Sequence, residues 1–214
     1  NGDVPLIRAD TARALIEACG GERLALLTVN LKNPHGYGRI VRQGDRVTAI
    51  VEQKDASPAQ LAIHEGYTGM MAAPTAWLKR AVMALDNQNA AKEYYLTDLV
   101  AMAVAQNMPV VAAQPTSETE VLGVNSPVQL AELERRLQTL RATALMESGV
   151  RLADPARLDV RGTLTCGKDV FIDVNCVFEG QVSLADNVQI GAHCVIKNAT
   201  LHHGAQILPF TYIN

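Results

Sequence analysis

Residues 170–196, Val-Phe-Ile-Asp-Val-Asn-Cys-Val-Phe-Glu-Gly-Gln-Val-Ser-Leu-Ala-Asp-Asn-Val-Gln-Ile-Gly-Ala-His-Cys-Val-Ile, decide how the last third of the chain folds. Ile172, Phe178, Leu184, Ile190 and Ile196 stand six apart, and Val170, Cys176, Val182, Val188 and Cys194 form a second series with the same step. No helix has that period. A six-residue step fits the hexapeptide unit of a parallel β-helix, in which three short strands make one coil and evenly spaced side chains fill the interior. An antiparallel meander would alternate by two without holding one position at every sixth residue. After a five-residue step the pattern resumes at Leu201, Ile207 and Ile213, with Gly191, Ala192, Gly204 and Ala205 near the expected corners. At roughly eighteen residues per coil, this part of the chain holds about two and a half coils, an unfinished solenoid.

Upstream, Ser126-Pro127 is a helix start: a capping hydroxyl followed by proline at the first helical position. Leu130, Leu133, Leu137, Leu140 and Ala144 then step by three and four, which predicts one apolar stripe on a long helix ending near Gly149. The reading divides the chain into residues 1–125, a connector helix over 126–150, and the coils of 151–214. Residues 1–125 read as α/β. Asp10 is placed to cap a helix through Cys19, stopped by Gly20-Gly21. Residues 24–31 form an apolar strand, 39–41 and 46–52 a hairpin about Gln43-Gly44-Asp45, and 67–73 a further strand. Thr75 caps a helix with Leu78, Ala81, Val82 and Leu85 on one face, a second helix runs from about Thr97 to Ala105, and 110–113 returns as strand. That alternation predicts a mostly parallel, doubly wound sheet, with ligands beyond the carboxyl ends of the strands.

Composition narrows the function. The chain has 214 residues, 48% apolar and 19% charged, with a formal charge of −3. No basic field exists to hold nucleic acid or an acidic membrane, so a small-molecule partner is expected. No apolar run reaches the roughly 18 residues of a membrane span and no signal-peptide profile opens the chain, so a cytoplasmic location is expected. Cys19, Cys166, Cys176 and Cys194 form no Cys-x-x-Cys pair and sit in apolar company, which predicts four free thiols. The chain opens without Met and closes inside the repeat, the pattern of an interior piece of a longer protein.

Four segments could carry chemistry: Gly2-Asp3, Gly36-Tyr37-Gly38-Arg39-Ile40, Val51-Glu52-Gln53-Lys54-Asp55 and Gly123-Val124-Asn125. Asp3 offers a hard oxygen suited to magnesium, or merely a turn aspartate. Gly36 and Gly38 let backbone approach a sugar or phosphate, or serve a plain turn. Glu52 can accept hydrogen bonds from sugar hydroxyls or an amide, or be a solvated strand end. Asn125, just before the Ser126 cap, could share a metal with Asp3 or be a second turn residue.

Taken in this order and followed by hexapeptide repeats, these segments resemble the bacterial family of bifunctional N-acetylglucosamine-1-phosphate uridylyltransferase and glucosamine-1-phosphate acetyltransferase. Glu93-Tyr94-Tyr95-Leu96-Thr97-Asp98, Asp154-Pro155-Ala156-Arg157 and Asp159-x-Arg161-Gly162-Thr163-Leu164 add to the likeness, which covers essentially the whole chain. It implies a doubly wound nucleotide-diphospho-sugar transferase-like domain followed by the start of a left-handed parallel β-helix. It implies that Asp3 and Asn125 are Mg2+ ligands, that Gly38 and Glu52 contact the N-acetylglucosamine moiety, and that Tyr95 and Thr97 line its pocket, with Asn1, Gly2 and Tyr67 also against substrate. The implied ligands are UTP, N-acetylglucosamine-1-phosphate and UDP-N-acetylglucosamine. Acetyl-CoA and glucosamine-1-phosphate belong to the complete protein, with a homotrimer built through the β-helix.

Two positions depart from the family pattern. Tyr67 stands where an asparagine usually touches the sugar, and Asn1 where tyrosine usually precedes Gly-Asp. The family's glycine-rich nucleotide loop and its acetyltransferase histidine have no counterpart in this sequence, and His193, His202 and His203 read as exposed solenoid surface. Little or no turnover by the chain alone is therefore expected. A nucleotidyltransferase for another sugar phosphate, or a non-catalytic trimerising scaffold, are the alternatives.

Overall fold

The computed structural model describes residues 2–89 and 91–214. They form two compact units, one ending at Asn125 and the other spanning Ser126–Asn214.

In the first unit, α1 (Ala9–Cys19) leads into β1 (Leu24–Asn30), whose first six residues are buried. Arg8, not Asp10, occupies the helix cap; Asp10 lies in the first turn, where a carboxylate suits the helix dipole. Gly20 closes the helix in the left-handed conformation, as its sequence context predicts. The hairpin β2 (Arg39–Gln43) and β3 (Arg46–Val51) follows, then a capped turn of helix, α2 (Pro58–Leu61), and β4 (Glu65–Ala72). α3 (Thr75–Met83) and α4 (Asp98–Ala105) precede β5 (Val110–Ala113). Pro74 rather than Thr75 sits at the α3 cap.

The sheet order is β3-β2-β4-β1-β5, and three of its four pairings are antiparallel; only β1 and β5 run parallel. The expected mostly parallel sheet is thus corrected to a mixed one over these residues. The reason is connection length: β2 and β3 are joined by a two-residue turn, which permits only an antiparallel pair, whereas a parallel pair needs a long crossover. Helices α3 and α4 supply length of that kind between β4 and β5, but β5 comes to rest beside β1. One face of the sheet buries Leu24, Leu26, Ile40, Ile50 and Tyr67 with Trp77, Leu99 and Val100 of α3 and α4; the other buries Leu27, Val29 and Leu31 with Leu15 of α1.

In the second unit, α5 (Pro127–Glu147) starts where predicted, with Ser126 accepting from the Gln129 N–H and Pro127 at the first helical position. Its buried face is not the leucine stripe. Leu133 is buried, but Leu130 and Leu140 are 54% and 58% exposed; Gln138 and Ala142 are buried instead. The helix lies against the first coil, so it belongs to the solenoid unit. Gln138 explains the departure. Its Oε1 accepts from the Val160 N–H at 2.8 Å and its Nε2 donates to the Val160 carbonyl at 3.0 Å, as a neighbouring strand would.

That strand is β7 (Leu158–Cys166), in a coil that begins at β6 (Arg151–Leu152). β8 (Phe171–Ile172), β9 (Cys176–Leu184), β10 (Gln189–Ile190), β11 (Val195–Lys197), β12 (Thr200–Leu201), β13 (Gln206–Ile207) and β14 (Tyr212–Ile213) complete the solenoid. All pairings between coils are parallel, and β6, β8, β10 and β13 stack four levels high. Four levels replace the expected two and a half coils. Twenty residues separate the paired Arg151 and Phe171, against eighteen from Phe171 to Gln189 and seventeen from Gln189 to Gln206. A 3-10 turn over Pro155–Arg157 lengthens the first coil ahead of Leu158; from there the six-residue step already holds, with Leu158 and Leu164 leading to Val170 and Val160 and Cys166 to Ile172.

Every position of the two six-residue series from Val170 to Ile196 is buried to 3% exposure or less. The corners are columns of left-handed residues: Gly162, Gly180 and Asn198; Asp169, Asn187 and Gly204; Asn175, His193 and Phe210. Gly, Asn and Asp tolerate that backbone best. Of the small residues expected at corners, only Gly204 is one of these. Gly191 is small for another reason: a Cβ there would lie 2.7 Å from the Pro209 nitrogen in the next coil.

Candidate functional site

The candidate sugar-pocket residues come from four separated segments and meet at one end of the sheet. Gly38 precedes β2 and Glu52 follows β3, so strand pairing sets them side by side: a Cβ on Gly38 would lie 2.9 Å from Ile50 Cγ2 and 3.5 and 3.6 Å from the two Glu52 carboxylate oxygens. Here glycine is required by space. Tyr67, in β4, donates its N–H to the Gly38 carbonyl at 2.8 Å. Thr97 stands at the cap position of α4, yet its hydroxyl bonds no helix N–H; it donates to Glu52 Oε1 at 3.0 Å.

Tyr95 joins the same group. Burial first, then the charges of Asp55, Glu93 and Glu52 and a hydrogen bond with Asp55, hold its phenol above the usual range. Asp55 itself follows Glu52 in a turn closed by its N–H to the Glu52 carbonyl, 3.0 Å. The Glu52–Asp55 turn is thus stitched to the segment before α4 twice, through Thr97 and through Tyr95. Burial, then Asp86 and Asp55, also raise the Asp98 carboxyl. Asp55 and Asp98 stood in the motifs that carried the family resemblance, but nothing local marked them as pocket neighbours.

Tyr67 is 8% exposed, and its hydroxyl has no hydrogen-bond partner among the described residues. Burial, and after it the charge of Glu52, push its phenol far above the ordinary value. It therefore stays protonated.

Arg39 stood in the candidate segment 36–40, but no role was assigned to it. It is 3% exposed and donates to the Tyr37 carbonyl and to Gln53 Oε1, which also accepts from the Gly36 N–H. One buried guanidinium thus braces the glycine loop against the residue after Glu52. Only β pairing reveals it, because in sequence Arg39 resembles any strand-end cation.

The candidate metal ligands lie in adjoining loops. The Val124 N–H donates to the Asp3 carbonyl at 2.8 Å, which sets Asp3 beside the residue preceding Asn125. Val4 is buried and anchors the first segment, while Asp3 and Asn125 are exposed. No cluster of three or more His, Cys, Asp or Glu fit for a metal occurs among the described residues. One carboxylate and one amide oxygen are hard donors that leave room for water and phosphate oxygens, the set magnesium accepts. The chemistry of the pair therefore fits that ion. Gly2 is exposed beside Asp3, and Asn1 lies outside the described residues.

A second polar centre braces these loops. Glu120, 5% exposed, accepts from the Thr11 hydroxyl of α1 and from the Thr116 hydroxyl, each at 2.5 Å. It ties the residues after Asp3 to the turn before Asn125. Burial pulls its carboxyl up, but the two hydroxyls and Arg8 leave it below the usual value.

All four cysteines, Cys19 in α1 and Cys166, Cys176 and Cys194 in the solenoid, are free thiols, as predicted. His193, His202 and His203 are exposed, with His193 stacked on Phe210 at 4.9 Å. No helix among the described residues is long and apolar enough to cross a membrane.

Comparison with known proteins agrees with both halves of the structure. Residues 164–198 match the family described as "Bacterial transferase hexapeptide (six repeats)", which identifies the solenoid as a left-handed parallel β-helix. Over its full length the chain is 67% identical to "Bifunctional protein GlmU" of Methylibium petroleiphilum and 62% identical to that of Albidiferax ferrireducens. Over 99% of its length it is 60% identical to the protein of the same name from Janthinobacterium sp.. It spans about half the length of these relatives, 46–47%.

Proposed function

Starting from a chain that belongs, end to end, with part of the bifunctional GlmU proteins, we infer that residues 1–125 are part of a uridylyltransferase domain joining N-acetylglucosamine-1-phosphate to UTP. The products are UDP-N-acetylglucosamine and pyrophosphate. Residues 151–214 are coils of an acetyltransferase domain that, in the complete protein, uses acetyl-CoA and glucosamine-1-phosphate, with α5 as the connector. A homotrimer through the β-helix and a cytoplasmic location go with this reading.

The observation that carries it is the meeting of Gly38, Glu52, Tyr67 and Thr97 from four segments around one carboxylate. Such a cluster holds a polyhydroxylated ligand. Glu52 is an acceptor only, so it takes hydrogen from a sugar O–H or N–H. Thr97 occupies Oε1 and so orients the carboxylate with Oε2 available to ligand. Gly38 keeps the approach open, because a side chain there would meet the carboxylate before a sugar could.

The reaction is an attack by the sugar-phosphate oxygen on the α-phosphorus of UTP. Holding the sugar rigidly brings that oxygen into line, and proximity of this kind supplies a large share of the rate. Asp3 and Asn125 would hold Mg2+, which when bound offsets the negative charge of the phosphates.

Isothermal titration of UDP-N-acetylglucosamine into the chain, with and without magnesium, tests the reading. Expected are saturable binding, strengthening by magnesium that Asp3→Ala abolishes, and at least tenfold weaker binding by Glu52→Ala. Wild-type protein with no affinity for the sugar nucleotide would refute it.

A further inference from the structure

Asp3 and Asn125 are exposed, yet the two segments that carry them are joined at two levels. Beside the pair, the Val124 N–H donates to the Asp3 carbonyl at 2.8 Å. Deeper in the fold, Glu120 accepts at 2.5 Å from the Thr11 hydroxyl on Oε2 and at 2.5 Å from the Thr116 hydroxyl on Oε1, and it takes a further bond from the Arg8 backbone N–H. Arg8 gives α1 no side-chain cap of its own. The Glu120 carboxylate sits there instead, at the end of the helix where the dipole favours an anion. The two junctions run antiparallel: Asp3 meets Val124 and Arg8 meets Glu120, so Asp3 and Asn125 each lie five residues from the deeper one. Ile7 and Val121 share an apolar cluster between them. Apolar packing is non-directional and keeps the segments close without fixing how one slides along the other, whereas hydrogen bonds fix direction.

We propose that Glu120 is a positioning residue for the Asp3 and Asn125 pair, its hydrogen bonds setting the separation of the two side chains that receive a hard divalent cation. The inference rests on the metal reading above and adds the group that sets the affinity of that site. Glu120 is not a third ligand, because it is 5% exposed and each of its oxygens is taken by a threonine hydroxyl. Groups behind the direct ligands commonly govern metal affinity by holding those ligands in place. Without Glu120, the Val124 to Asp3 bond is left to hold the register of two exposed loops against water.

The test adds Mn2+, a paramagnetic ion that takes the same oxygen donors as Mg2+, to the 15N-labelled chain. Expected in the wild type is saturable, selective broadening of the Gly2, Asp3, Gly123 and Asn125 amide resonances. Glu120→Gln, which keeps the shape and one acceptor oxygen, stays within about threefold of the wild-type midpoint, whereas Glu120→Ala needs at least about tenfold more Mn2+. Hydrogen exchange gives a readout without metal. In Glu120→Ala the Val124 amide exchanges at least about tenfold faster relative to Leu26 in the middle of β1, whereas a general loss of stability speeds both alike. A loss in Glu120→Gln as large as in Glu120→Ala assigns the effect to charge and overturns the positioning role. So does a Glu120→Ala midpoint within about twofold of wild type, or a Val124 exchange rate that keeps its ratio to Leu26. No selective broadening in the wild type overturns the metal reading and this inference with it.

Discussion

Replacing Gln138 by Leu tests how the solenoid is closed at its first coil. β7 pairs with β9 on one edge, and at Val160 its other edge is met by the Gln138 amide. Gln138 is 1% exposed and Val160 3%, so water cannot replace what is lost. Leucine keeps the bulk. The Val160 carbonyl still accepts from the Arg141 guanidinium, so the chief casualty is the Val160 N–H. A buried donor left without a partner costs about 1–3 kcal/mol, and ~2 kcal/mol is the working value. In a unit of this size that lowers Tm by roughly 8–16 °C. Trp77, the only tryptophan, lies in the other unit, which provides an internal control. In urea titrations the circular dichroism of the β-helix shifts to lower denaturant, whereas the Trp77 fluorescence transition stays in place. A solenoid transition within about 0.5 kcal/mol of wild type would refute the idea that Gln138 substitutes for a strand.

Three further outcomes follow from the same structure. Gly38→Ala introduces a methyl 2.9 Å from Ile50 Cγ2 and against the Glu52 carboxylate; titration calorimetry should find sugar-nucleotide binding at least tenfold weaker, with a stability loss of about 1–3 kcal/mol from overpacking. Arg42 grips Glu65 through two bonds of 2.7 Å, and this hydrogen bonding, outweighing burial, holds the Glu65 carboxyl below its ordinary value. A depressed folded pKa means that the stabilisation is full above the unfolded value and is lost as pH falls through the folded one. Glu65→Gln should therefore cost up to about 1 kcal/mol at pH 6 and narrow its deficit toward pH 3, in urea midpoints measured at both; a deficit that grows on acidification contradicts the pairing. Burial pushes the Cys166 and Cys176 thiols up to about 11, so at pH 8 a disulfide reagent should find fewer than one fast-reacting thiol in the folded chain and four after unfolding in guanidinium. A native burst of two or more contradicts that packing.

The solenoid was legible because its signal is local. Each coil presents Val170, Ile172 and their successors to the same interior, so the demand repeats at a fixed step and can be counted along the chain. The first coil was left out of the count although Leu158, Val160, Leu164 and Cys166 already keep the step; only the residues before Leu158 fall out of it, where the Pro155–Arg157 turn lengthens the coil. The start of α5 was readable for a similar reason, since a capping serine and a proline act within one turn. Its buried face was not. Which side of a helix is covered depends on what lies opposite, and there an edge strand needed an amide more than it needed another leucine.

The site divides along the same line. Residue types and short motifs marked Gly38, Glu52 and Asn125 as candidates and predicted four unpaired cysteines, while Thr97 entered only through the family resemblance. The tertiary structure decided that Thr97 spends its hydroxyl on Glu52 rather than on its own helix, that Arg39 and Glu120 are buried braces, and that the sheet is mixed in direction. Propensity and periodicity are properties of a few neighbouring residues, whereas strand direction, hydrogen-bond partners and the burial of a charge are settled by groups tens of residues away.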